Sequence, residues 1–88
     1  MITRNIFMSA LTANMVHYFV GACEITELLA SAGYNRPLSD ERSAEVENAL
    51  KDASECFFEY LNTDPDNNTI VEALYVRTAE KITNIVWR

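Results

Sequence analysis

Residues that interrupt helices are scarce in this chain: it has two glycines and two prolines among 88 residues, at Gly21, Gly33, Pro37 and Pro65. Between them run long stretches in which apolar residues recur every three or four positions. A helix buries that spacing on one side, whereas a half-buried strand needs alternation. The pattern predicts an all-α fold with helices over residues 4–32, 40–62 and 65–86. A chain of this length suits one core, so residues 1–88 are expected to form one domain, a three-helix bundle with a long N-terminal helix.

Local chemistry marks the boundaries. Gly33 suits a left-handed helix cap, and Pro37 prevents the first helix from continuing. Ser39 can accept from the first unpaired amides of the second helix, with Asp40 and Glu41 favoured by its dipole. Asp64-Pro65-Asp66 opens the third: Asp64 as cap, Pro65 with its φ already set, Asp66 at the dipole. Several β-branched residues in this last segment would also suit a strand. Placed every 100°, however, Val71, Leu74, Tyr75, Thr78, Ile82, Ile85 and Val86 share one face, which favours a helix.

The faces differ in how much apolar surface they carry. In the second helix Val46, Ala49, Leu50, Ala53, Cys56, Phe57, Tyr60 and Leu61 form one core-facing stripe. In the first, Phe7, Met8, Leu11, Met15, Tyr18, Phe19, Ala22, Ile25 and Leu29 form a stripe that keeps its phase across Gly21. A second strip, Ile6, Ala10, Ala13, Val16, Val20 and Leu28, occupies much of the far side. Two neighbouring helices would have to cover both strips. Otherwise another copy or a different protein covers the second, and the expectation is a homodimer joined through Ile6, Ala10, Ala13, Val16 and Val20. Phe58 projects from the acidic side of the second helix, where an exposed aromatic suits partner binding. Trp87, near the chain end, is expected to fold back onto the core.

The net charge of −6 is concentrated in the middle. Residues 39–66 hold nine acids (Asp40, Glu41, Glu45, Glu47, Asp52, Glu55, Glu59, Asp64, Asp66) against Arg42 and Lys51. Glu41, Glu45, Asp52, Glu55 and Glu59, with Asn48 in the gap, form one stripe. Along a helix rising 1.5 Å per residue its acids stand roughly 5–6 Å apart over most of their length, similar to phosphates along a nucleic-acid strand.

Several classes of function find no residues to carry them. His17 is the single imidazole and reads as a polar interruption of an apolar helix. There is no Glu-x-x-His, no His-x-x-x-His and no glycine-rich phosphate loop, so no catalytic, metal or cofactor residue is assigned. Cys23 and Cys56 are too few for a disulfide framework or a zinc site and read as free buried thiols, which points to a reducing, cytoplasmic setting. Val20-Gly21-Ala22-Cys23 loosely resembles a lipoprotein cleavage box, but Ser9, Thr12, Asn14 and His17 break the apolar run that a signal or a membrane span needs. Direct nucleic-acid binding would need a basic patch.

The sequence therefore points to a non-enzymatic, acidic protein-binding module that docks on a macromolecular partner and modulates it, as an inhibitor, adaptor or small chaperone. Phage and mobile-element inhibitors of host machinery are frequent among such chains. The alternative is a nucleic-acid mimic whose acidic stripe fills the groove of a basic nucleic-acid-binding protein. A third reading is a structural oligomer subunit.

Overall fold

The computed structural model describes residues 3–63, 66 and 68–87. They form four α-helices: α1 (Arg4–Phe19), α2 (Ile25–Ser31), α3 (Asp40–Thr63) and α4 (Asn68–Val86). The long N-terminal helix expected over 4–32 is thus divided in two. Gly21 takes φ +79°, its amide donates to the Tyr18 carbonyl at 3.0 Å, and the Ala22 amide donates to the His17 carbonyl at 2.8 Å. This pair of bonds is a Schellman cap, which turns the chain out of the helix through a left-handed residue. The same pair recurs at the end of α2, where Gly33 at φ +93° donates to Ala30 and Tyr34 donates to Leu29, both at 2.9 Å. Gly33 is therefore the cap the sequence predicts, and Gly21 is a second one. Between them Glu24 restarts the helix, its amide donating to Oε1 of Glu27 at 3.2 Å, in the reciprocal arrangement that satisfies first-turn amides.

The break folds α2 back along α1. Tyr34, just beyond α2, brings its ring within 6.0 Å of Phe7 in the first turn of α1. α4 runs antiparallel to α1. Arg4 donates to Oδ1 of Asn84, Phe7 lies 6.1 Å from Trp87, and at the other end Phe19 lies 5.8 Å from Tyr75. α4, rather than the first helix, is the element packed against both α1 and α3. This explains its wide buried arc of Leu74, Thr78, Ala79, Ile82, Thr83 and Val86. Thr83 is fully buried, and its hydroxyl is satisfied by donating to the Ala79 carbonyl at 2.7 Å.

α3 starts where its cap requires, with the Arg42 amide donating to Oγ of Ser39 at 3.2 Å. The last helix, expected from residue 65, starts later: Asp66, expected in its first turn, lies in a turn instead, its carbonyl accepting from the Asn68 amide at 3.2 Å, and α4 begins at Asn68. The expected cap Asp64 and Pro65 lie outside the described residues. One apolar cluster draws on all four helices, with Phe7, Leu11, Met15 and Phe19 of α1 against Leu28 and Leu29 of α2, Val46, Leu50 and Phe57 of α3, and Ile82 of α4. Burying each such side chain contributes about 1.5–3 kcal/mol. The Cα radius of gyration is 12.6 Å, against about 12 Å for a packed chain of this length. The four helices therefore pack to about the dimensions of one closed core.

Candidate interaction surfaces

Folding α2 back changes which parts of the first segment are covered. Leu28, expected on the outer strip, is fully buried, and Ala22, expected in the core stripe, is exposed. Both corrections follow from the cap at Gly21, which destroys the common phase of the two halves. The rest of the outer strip stays at the surface. Ile6 is 55% and Val20 61% exposed, Ala13 is exposed, and Ala10 and Val16 are half-buried. Ile6, Ser9, Ala13, Val16 and Val20 follow a heptad spacing, three and four residues apart in turn. They line one side of a helix about 24 Å long. After Arg4, α1 contains no Asp, Glu, Lys or Arg. Its outer face thus carries no acid, Lys or Arg and has the exposed His17 as its one titratable group, and its apolar residues are distributed around the helix far more evenly than in α3 or α4.

The acidic stripe of α3 is not uniform. Glu41, Asp52, Glu55 and Glu59 are exposed, while Glu45 is half-buried and one of its carboxylate oxygens is shut off from solvent. With Glu45 leaning inward, the even spacing holds over the last three acids only. Phe58 is 52% exposed, as its place on the acidic side predicts. Leu61, expected in the core stripe, is 40% exposed, because the last turns of α3 extend beyond its buried face. Beneath Phe58 lies an aromatic cluster. Phe58 meets Phe57 edge-on at 5.6 Å, and Phe57 stacks on Phe19 at 5.0 Å and on Tyr75 at 6.2 Å. Trp87 folds onto the core beside Phe7, as expected.

Of the clefts beside α2, two have acidic side chains in their walls. One, of about 290 Å³, is bordered by Glu24, Ile25, Leu29, Arg36, Leu38 and Glu47. The other, of about 270 Å³, is lined by His17, Cys23 and Glu27 among others, a convergence that only the turn at Gly21 produces and that no sequence spacing announces. Burial raises the Cys23 thiol pKa, and Glu27 and Glu24 raise it further. Nucleophilic or ligating cysteine needs the opposite shift. Among the described residues no three His, Cys, Asp or Glu side chains are grouped to hold a metal, and no helix is long and apolar enough to cross a membrane. Cys56 packs half-buried against the core as a small apolar side chain. Tyr18 is raised above the ordinary phenol range, first by burial, then by Glu24, Glu47 and Cys23, and Tyr75 by burial and Glu72.

Compared with known proteins, the chain has no significant match to a family model, a curated protein or a solved structure.

Proposed function

We propose that this protein is a non-enzymatic binding module that pairs with a second copy through the outer face of α1 and docks on a protein partner, which it inhibits. What supports the reading is the combination of Ile6 and Val20, each more than half exposed, with a helix face that has no Asp, Glu, Lys or Arg in a chain of net charge −6. Large aliphatic side chains held in water along an uncharged helix gain from being covered. The pattern is also self-complementary. In an antiparallel pair with its two-fold axis at Ala13, Ile6 of one copy meets Val20 of the other. Small Ser9 and Ala13 permit close approach at the crossing, and bulk at both ends fills the gap as the helices diverge. The interface would lie at the small end of specific ones, so association in the micromolar range is expected.

Sedimentation velocity from low to high micromolar concentration tests this. Wild type is expected to shift towards dimer, and Ile6→Lys with Val20→Lys to remain monomeric with unchanged helicity by circular dichroism. A wild-type monomer throughout the range would overturn the pairing.

The second reading, an acidic mimic that fills a basic groove, is favoured by the exposure of Asp52, Glu55 and Glu59 at successive turns of α3. Partner binding that survives both high salt and charge reversal at Asp52 and Glu55 would eliminate it.

A further inference from the structure

The C-terminal half of α3 and the beginning of α4 combine two features that separately would be unremarkable. Phe58 and Leu61, 52% and 40% exposed, are three residues apart and so form one apolar stripe on α3. Ile70, 38% exposed, stands at the same end of the α3–α4 hairpin. Alongside, Glu55 and Glu59 are exposed one helical turn apart, and Asp66 and Glu72 are exposed as well. From residue 52 to residue 76 the sequence has six acids (Asp52, Glu55, Glu59, Asp64, Asp66, Glu72) and no Lys, Arg or His.

Each candidate occupant can be judged by charge. A second copy would set acid against acid. Anionic lipid and nucleic acid would be repelled in the same way. A purely basic, polar chain would leave Phe58 and Leu61 in water. The surface is matched by a ligand with both properties, apolar side chains at i and i+3 or i+4 and lysine or arginine beside them, the pattern of a basic amphipathic helix. Phe58 is also prepared for the role. Its ring rests edge-on against Phe57 at 5.6 Å, which is held in turn by Phe19 and Tyr75. An aromatic anchor already fixed by its neighbours loses little freedom when it is covered.

Resting on the reading of the protein as a docking module, the geometry points to this hairpin end as the site for a basic amphipathic helix of the partner protein. Phe58 and Leu61 take its apolar side, and Glu55 and Glu59 on the same helix take its basic side.

Titration of the full chain with a synthetic leucine–lysine amphipathic peptide tests it, against a lysine–serine peptide of equal charge and a leucine–glutamate peptide. The leucine–lysine peptide should bind at least about tenfold more tightly than lysine–serine, as hot-spot burial requires, and the leucine–glutamate peptide should not bind. Binding should weaken about tenfold in Phe58→Ala and in Leu61→Lys, both surface changes checked for retained helicity, and again in Glu55→Lys with Glu59→Lys. Amide shifts should map to Phe58, Leu61 and Glu59 and leave Ile6 and Val20 unmoved. Equal affinity for the two basic peptides, indifference to Phe58→Ala, or shifts centred on α1 would each overturn the assignment. Peptide binding by a chain that sediments as a monomer sinks the α1 pairing and leaves this site standing. A dimer that ignores the peptide does the reverse.

Discussion

Cys23 shows how far a single side chain's chemistry departs from what its neighbours in sequence suggest. It follows a turn and precedes Glu24, and nothing in that spacing tells whether its thiol is reactive. The fold settles this by partly burying it and placing Glu27 and Glu24 beside it, which raises its pKa. The thiolate is therefore disfavoured, and alkylation by iodoacetamide near pH 8 should be slower than for a small free thiol. Glu27→Gln removes one of the two carboxylates and should speed the reaction a few-fold, with the rate profile moved to lower pH. An unchanged profile would mean that Glu27 contributes nothing to the shift. The sign for stability follows from the same groups. Cys23, Tyr18 and Tyr75 all have folded-state pKa values above their unfolded ones. Their contribution is whole below the ordinary thiol and phenol ranges and is lost as pH rises through the folded values. Thermal stability should accordingly decline from about pH 9 upward as these groups ionise in the unfolded chain.

At the scale of elements, the glycine at position 21 decides the topology. It takes φ +79° with no atom within 4 Å of where a Cβ would stand, so space is available and only backbone conformation resists substitution. Gly21→Ala should cost about 1–2 kcal/mol, the penalty of a left-handed residue with a Cβ. Gly21→Asn should cost less, since asparagine tolerates that region. Chemical denaturation of the two variants tests the order, and an alanine variant as stable as wild type would mean the cap is not needed to turn the chain. The same residue marks the limit of what the sequence makes legible. Ser39, Gly33 and the buried positions Val46, Leu50, Ala53 and Phe57 of α3 follow from local rules, because each depends on contacts within one helix or at its end. Gly21 does not, because apolar residues on both sides of it happen to keep helical phase, and one glycine in a helix is tolerable at about 1 kcal/mol. Glu24 and Glu27, three residues apart, were the available sign of a restart. The exposed strip Ile6, Ala13 and Val20 was legible from periodicity alone. The exposure of Leu61 was not, because it depends on where α4 stops covering α3.

For the whole molecule, the two surfaces predict opposite responses to salt. Each copy carries a net charge of −6, located mostly on α3 and the beginning of α4, while the outer face of α1 is neutral. The described chain is 37 × 25 × 22 Å, so the acids of two copies paired through α1 stand on the order of a molecular width apart. At 0.01 M salt the screening length is about 30 Å and the copies repel across that distance. At 0.1 M it is about 10 Å and they do not. Apolar contact itself changes little over this range, so the dimer fraction at fixed concentration should rise as salt is added. Binding of the leucine–lysine peptide to the α3–α4 hairpin end depends on attraction between unlike charges and should fall over the same interval. Sedimentation and peptide titration on one preparation, at low and moderate salt, measure both slopes. A dimer that dissociates as salt rises would mean that charged groups, not Ile6, Ala13 and Val20, join the copies, and the uncharged face of α1 would then have to be covered by something else.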